Sequence, residues 1–344
     1  MKRPLISAIV PCYNVAGLVD RCIRSIVDQT IGLESIEIIL VNDASTDDTL
    51  ERLLAWERRY PKQIMVITYE ENLRQGGARN IGICYASSDY VSFIDADDWI
   101  EPDMFETLYD RSNEGHFDVV KGKHIRKTVL EKSYSSNSFR DDQIKQFEKR
   151  GSFYGGDIGF VGNNGEFGRT DGLYKRKLII DNDIWFPEKT AYEDNYWSMI
   201  LRLYIKNMYI VDKVLYHYMI NEVSTTTAKN ASHHLDRMYV EVAVIEEYKK
   251  RGAYEYFKPE LCRNFIQMFY LNTLYILFTR FDCIPDIFGY MKDMVNKYAP
   301  DYKDYLDVDN LTPREKQLLR LLDIEGEVTV EMMERIRKAY LSPG

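Results

Sequence analysis

Several signals that would assign a class at once are missing from this chain. Its 5 cysteines, Cys12, Cys22, Cys84, Cys262 and Cys283, are odd in number, far apart and without a CxxC pair. That argues against a disulfide framework or a zinc site, and the thiols read as those of a reducing cytoplasm. Long apolar runs are also lacking. The greasiest stretch, 265–278, is interrupted by Gln267 and Asn272 and falls short of the ~20 apolar residues that cross a bilayer. It reads as a buried helix, with a Tyr- and Phe-rich helix lying against a membrane face as the alternative. No apolar leader with a small-residue cleavage site follows Met1-Lys2-Arg3-Pro4, so a cytoplasmic chain is expected. Positive charge is in deficit, with 45 Lys and Arg against 54 Asp and Glu and a net charge of −9. A protein that grips nucleic acid needs a concentrated basic face, so that class is disfavoured. No GxGxxG follows the first apolar run, which speaks against a dinucleotide dehydrogenase.

What remains has the composition of an ordinary globular protein, 45% hydrophobic and 29% charged over 344 residues, enough for one large or two modest domains. The first part alternates strand and helix signals. Residues 7–10 form an apolar run ended by Pro11, 19–27 carry apolar residues at helical spacing, and 36–41 are a continuous β-branched run suited to a parallel sheet. A helix is predicted over 47–59, a strand over 64–69, a helix over 78–86 and a strand over 90–94. Such alternation predicts an α/β sheet with right-handed crossovers and a ligand site outside the carboxyl ends of the strands. Beyond about residue 112 the pattern loosens. A strand is expected over 118–123, a polar surface excursion over 131–150, and a glycine-rich loop over 155–172 with the character of a lid. Helices over 173–180 and 194–204 and a strand over 208–218 come next. From about 228 the signals are helical, clearest over 236–250, 260–279 and 313–322. The expected organisation is therefore 1–112, 113–227 and a helical region 228–344.

Chemistry-bearing residues fall at the predicted strand ends. Asp95-Ala96-Asp97-Asp98 follows the strand 90–94 directly. Carboxylates so crowded repel one another and resist ionising unless a cation or hydrogen-bond donors compensate, and hard oxygen ligands suit Mg2+ or Mn2+. A solvated turn that caps the next helix would look the same. Asp43, after the strand 36–41, can accept from a base N–H or a ribose hydroxyl, or can cap a helix near residue 47, as can Ser45. Tyr13, after the first strand, offers a ring for a base to stack on. Asn72, Arg79 and Asn80, around Gly76-Gly77, put a guanidinium and amides near a helix start, where a diphosphate could bind. Glu193-Asp194 opens a later helix, where a carboxylate either serves the helix dipole or acts as a general base.

Taken together, Val10-Pro11-Cys12-Tyr13-Asn14, Val41-Asn42-Asp43-Ala44-Ser45, Gly77-Ala78-Arg79-Asn80, Asp95-Ala96-Asp97-Asp98 and Glu193-Asp194 resemble the family-two inverting glycosyltransferases of the GT-A fold, of the type used in bacterial surface-polysaccharide assembly. The resemblance runs over about residues 4–227. It implies a GT-A, Rossmann-like sheet domain followed by a helical C-terminal region. It also implies an enzyme that moves a sugar from a nucleotide-diphosphate donor, a UDP-sugar being the commonest, to a hydroxyl of a glycan or lipid-linked acceptor. By the same resemblance Pro11, Tyr13 and Asp43 would hold the base, with Asn72 and Arg79 assisting. Asp95 would face the ribose side and Asp97 would bind Mn2+ or Mg2+. Asp194 would be the base, positioned by Glu193, while Asp98 reads as a helix cap. Later, Leu215-Tyr216-His217-Tyr218 and Ser224-Thr225-Thr226 resemble a segment lining the diphosphate. Asn221 stands where many relatives carry a histidine, and His217 reads as a core histidine. The apolar stripes of the C-terminal helices read as core or as a homodimer face, and a lipid-linked acceptor would bring the chain to the inner membrane face. The rival readings are a nucleotidyltransferase, which needs no Glu193-Asp194 pair, and a non-catalytic nucleotide-sugar-binding or interaction protein.

Overall fold

The computed structural model describes residues 3–128, 133–135, 141–155, 170–220, 232–281, 284–326 and 328–341. The chain divides into two compact units, Met1–Ser224 and Thr225–Gly344.

The first unit is built on one mixed sheet. Strands β1 (Ile6–Cys12), β2 (Ile36–Asp43), β3 (Ile64–Tyr69) and β4 (Tyr90–Phe93) are linked by helices α1 (Val19–Val27), α2 (Thr49–Arg59) and α3 (Arg74–Tyr85). These four strands are mutually parallel, β1 pairing with β2 and β4 and β2 with β3. Burial on both faces explains why β1 and β2 read as unbroken apolar runs. Beyond β4 come β5 (Trp99–Ile100), α4 (Met104–Gly115), β6 (Val119–Thr128), β7 (Ser133–Ser135), β8 (Gln143–Gln146), β9 (Gly172–Lys175), α5 (Arg176–Asp181), α6 (Glu193–Arg202) and β10 (Asn207–Ile220). The main path of the sheet runs β3-β2-β1-β4-β9-β6-β10-β5, with β7 on β6 and β8 on β10. The parallel half supplies the carboxyl edge at which Tyr13, Asp43 and Asp95 stand, and β6 and β10 extend that edge on the far side of β4.

Several elements differ from what the sequence predicts. Strand β1 continues through Pro11 to Cys12; the missing N–H is tolerated because β4 pairs only with Ile6 to Ile9, so one side of the strand is open there. Helix α3 begins at Arg74, four residues early, so Gly76 and Gly77 are helical rather than a flexible loop. A Cβ on Gly76 would lie 2.2 Å from the Pro187 carbonyl oxygen, and close packing is what glycine serves there. Residues 173–180 are not one helix: Leu173 and Tyr174 are buried in β9, antiparallel between β4 and β6, before α5 starts. The polar stretch 131–150 contributes β7 and β8, pairings that its own pattern could not announce. Of the glycine-rich loop 155–172, residues 156–169 lie outside the described residues, and so does the lid expected of them.

The second unit is helical. Its helices are α7 (Ser232–Lys250), α8 (Tyr254–Asn264), α9 (Thr273–Arg280), α10 (Pro285–Tyr298), α11 (Tyr302–Tyr305), α12 (Pro313–Leu319) and α13 (Val330–Leu341). Between α8 and α9 the residues Phe265–Asn272 form a π-helical segment, so the predicted helix over 260–279 is continuous in course but wider in the middle. Phe265, Phe269, Tyr270, Leu274 and Phe278 from this stretch form the centre of the unit's own core. Among the described residues no helix is long and apolar enough to cross a membrane.

Candidate active site

The ends of β1, β2 and β3 are stitched into one wall. The Thr46 N–H donates to Asn14 Oδ1 at 2.8 Å and the Asn14 N–H to Ser45 Oγ at 3.2 Å. Asp43 is 2% exposed. Its Oδ1 accepts from the Tyr69 hydroxyl and the Leu73 N–H, both at 2.8 Å, and its carbonyl accepts from Asn72 Nδ2 at 3.0 Å. Burial first, and then the neighbouring Asp43 carboxylate, push the Tyr69 phenol up, so it stays a donor. Asp43 therefore does not cap α2, which begins at Thr49. Among the described residues nothing bonds its Oδ2, which leaves one carboxylate oxygen for a ligand. Pro11 is buried in the wall, and the Tyr13 ring is 48% exposed beside it. Asn14, Ala44, Arg74 and Tyr192 all adopt the left-handed conformation, with φ from 51° to 62°. Such strain at non-glycine positions costs about 1 kcal/mol or more each, and here it gathers at the segments that carry the candidate residues.

The turn after β4 is held from below. The Tyr216 hydroxyl of β10 donates to Asp98 Oδ2 at 2.6 Å and accepts the Asp95 N–H at 3.1 Å, while the Met219 N–H donates to Asp98 Oδ1 at 2.7 Å. Asp98 is thus no helix cap. Its side chain ties the turn to β10, and the N-cap of α4 is Asp103. Burial, then repulsion from Asp95 and Asp97, hold the Asp98 carboxyl well above the ordinary range. Asp97 is half-buried, and its carbonyl accepts from Arg21 Nη2 at 2.7 Å. Among the described residues no three His, Cys, Asp or Glu side chains form a ready-made metal cage. The donor set still fits a hard divalent cation. Three carboxylates share one turn, and such an ion commonly takes one or two of them and fills its shell with water and phosphate oxygens.

The most concentrated charge lies between α3 and α6. Arg79 is fully buried. Its Nη1 meets Glu193 Oε1 at 2.5 Å, and its Nη2 meets Asp95 Oδ1 at 2.9 Å and Gln75 Oε1 at 3.2 Å. One guanidinium thus joins the turn after β4 to the start of α6, where Asp194 is half-buried beside Glu193. The two terminal nitrogens expected to assist with the donor go to carboxylates instead. Asn80 is spent differently again: its side chain exchanges two hydrogen bonds, each 2.9 Å, with the backbone of Phe186. That pairing fixes the 185–187 loop in front of α6. His217 is 6% exposed, stacked on Trp99 with centroids 4.8 Å apart, as expected of a core histidine, and burial lowers its pKa. Asn221 and Ser224 lie outside the described residues. Tyr216, Gln75 and Arg21 were not foreseen; each acts through tertiary contacts that leave no motif in the sequence.

Residues 7–186 match the family Glycosyl transferase family 2, just over half of the chain. The chain belongs to glycosyltransferase family 2. The matched span holds Tyr13, Asp43, Arg79 and the Asp95 to Asp98 turn, and it ends before Glu193. Among curated family 2 relatives, EpsH of Bacillus subtilis (strain 168), a provisionally named glycosyltransferase, is 30% identical over 229 residues, 64% of this chain and 62% of its own. A poly(ribitol-phosphate) beta-glucosyltransferase of Bacillus spizizenii (strain ATCC 23059 / NRRL B-14472 / W23) is 28% identical over 219 residues, 62% of this chain and 32% of its own. The chain thus spans under two thirds of the length of either relative. S. aureus TarS 1-349, solved in complex with UDP-GlcNAc, superposes with a TM-score of 0.71 at 20% identity, covering 98% of this chain and 91% of that one. The fold is the expected GT-A α/β domain followed by a helical region.

Proposed function

We propose that the protein transfers a sugar from a UDP-sugar to a hydroxyl of a glycan or lipid-linked glycan, by a single displacement that inverts the anomeric carbon. The observation that carries this reading is the Asp95–Arg79–Glu193 bridge, which holds a donor-side carboxylate and the segment bearing Asp194 in one rigid unit. A nucleotidyltransferase has no use for such a link to a second carboxylate site, and a binding protein has no use for a strained helix start beside it. The TarS complex with UDP-GlcNAc supports a UDP-sugar donor, and the poly(ribitol-phosphate) relative supports a cell-surface acceptor.

In this mechanism Tyr13 stacks on the base, and Asp43 accepts from it through Oδ2 while Tyr69 and the Leu73 N–H hold Oδ1. Asp95, kept ionised by Arg79, accepts from the ribose side. Asp97 would hold Mn2+ or Mg2+, which when bound neutralises charge on the departing diphosphate. Asp194 takes the proton from the acceptor hydroxyl as that oxygen attacks the anomeric carbon and the bond to the diphosphate breaks. Glu193 positions Asp194 through its fixed pairing with Arg79. The chain acts on the cytoplasmic side, where a lipid-linked acceptor would bring it to the inner membrane face.

The test is nucleoside diphosphate release with manganese, candidate donors and acceptor. Asp194→Asn should lower turnover by about 10²- to 10⁴-fold, the usual contribution of a positioned base, while UDP binding is unchanged. Full turnover in that variant would remove Asp194 as the base. Absence of UDP binding by the unaltered protein would remove the whole reading.

A further inference from the structure

Strand β6 is the most basic segment of an acidic chain, with Lys121, Lys123, His124, Arg126 and Lys127 within seven positions. The first three are answered by carboxylates. Lys121 and His124 meet Asp171 at 2.9 and 2.8 Å, and Lys123 meets Asp212. Arg126 and Lys127 are not: among the described residues neither has an ion-pair partner. Arg126 lies over the Tyr218 ring at 5.9 Å, and Lys127 Nζ lies 5.0 Å from the centroid of Trp99. Arg21 approaches the same indole at 3.9 Å, again with no carboxylate on its side chain. Trp99 is itself held by the stacked His217, whose Nε2 meets Glu101 Oε1 at 2.5 Å. Three cations therefore converge on one braced aromatic platform, while a protein of net charge −9 leaves them unneutralised.

The sheet order decides what they face. The wall expected to hold the base is made by the ends of β1, β2 and β3, and the Asp turn follows β4. Arg126 and Lys127 sit on β6, in register with Tyr218 and Met219 of β10, on the opposite side of β4 from that wall. A donor reaching from Asp43 to Asp97 ends at the turn, so the patch lies beyond it. We infer that Arg126 and Lys127, supported by Arg21, form a subsite for a phosphate group carried by the acceptor. A guanidinium fork and an ammonium are the pair that phosphate oxygens select, and weak anchoring to rings leaves both heads available. This inference rests on the glycosyl-transfer reading above and deepens it: the acceptor is an anionic, phosphate-bearing glycan rather than a neutral one.

Calorimetric titration of the full chain tests it, with four probes: UDP with manganese, a short phosphodiester-linked glycerol phosphate oligomer, an uncharged oligosaccharide of equal length, and phosphatidylglycerol vesicles. The unaltered protein should bind the oligomer and not the neutral sugar, with affinity falling steeply as salt rises from about 50 to 200 mM. The double variant Arg126→Gln/Lys127→Gln should weaken oligomer binding tenfold or more and leave UDP unchanged, and Arg126→Lys/Lys127→Arg should restore most of it. Equal oligomer binding by the Gln variant, no oligomer binding by the unaltered protein, a parallel loss of UDP affinity, or binding confined to the vesicles would each overturn the inference. UDP binding without oligomer binding overturns this subsite alone. Loss of UDP binding in the unaltered protein counts against the glycosyl-transfer reading itself.

Discussion

Buried acids are handled in opposite ways in the two units. In the sheet unit, Asp95 and Glu193 share the guanidinium of Arg79, so two desolvated carboxylates each have a cation within hydrogen-bonding distance. In the helical unit, Glu241 of α7 is 2% exposed and receives one hydrogen bond, from Asn264 Nδ2 of α8 at 2.7 Å. Burial dominates there, and the field of Arg237 offsets it only in part, so the carboxyl is pushed up to about 8. A buried acid with a cation in contact keeps its charge, whereas one with an amide partner carries a proton instead. Charge retained at strand ends is what a reaction can use. The neutral acid between α7 and α8 is a structural cross-link.

The largest effect should come from breaking the paired side. Arg79→Met strands two carboxylates in a dry site and should cost about 3–5 kcal/mol, read as a lower denaturant midpoint at constant slope. A cost below about 1 kcal/mol would mean that the bridge contributes no pairing, and the contrast would collapse. Next in size is Tyr216→Phe, which removes the hydroxyl shared by Asp98 Oδ2 and the Asp95 N–H; about 1–3 kcal/mol is expected, measured by chemical denaturation. The smallest effect, Glu241→Gln, sharpens the unpaired side. Because the folded-state pKa of Glu241 is raised from 4.5 to about 8, its contribution to stability is complete below about pH 4.5 and lost as pH rises through about 8. The variant should therefore match the unaltered protein near pH 4 and exceed it near pH 9. Thermal scans at the two values should separate by roughly 2–4 °C for each kcal/mol involved, and equal separation at both would show that Glu241 does not titrate in this range.

Legibility followed physical range. Strands β1 to β4 could be read because burial on both faces writes continuous apolar runs into the sequence, and α1 because one face of nine residues is apolar at helical spacing. Strands β5, β7 and β9, two to four residues each, carry no period of their own and exist through pairing with β10, β6 and β4. The same divide runs through the site. Asp43, the Asp95 to Asp98 turn and Glu193-Asp194 could be picked out because each follows a recognisable element boundary. Arg79 could be picked out as important but not assigned its partners, since one of them, Glu193, is 114 residues away.

By itself the sequence determined the class of the molecule: a parallel αβ sheet, its carboxyl edge lined with acids, then a helical region, in the pattern of a family of sugar-transferring enzymes. Those features are local, set by side-chain periodicity and by the residues tolerated at strand ends. Only the tertiary structure decided how the acids differ. Asp98 became a tether because Tyr216 and Met219 come within hydrogen-bonding reach. Asp95 and Glu193 became a pair because one guanidinium spans them, and Arg126 and Lys127 were left unneutralised because the carboxylates nearby had gone to Lys121 and Lys123. The energy of a charge depends on what desolvates it and what answers it across the fold, and no order of residues along the chain records that distance.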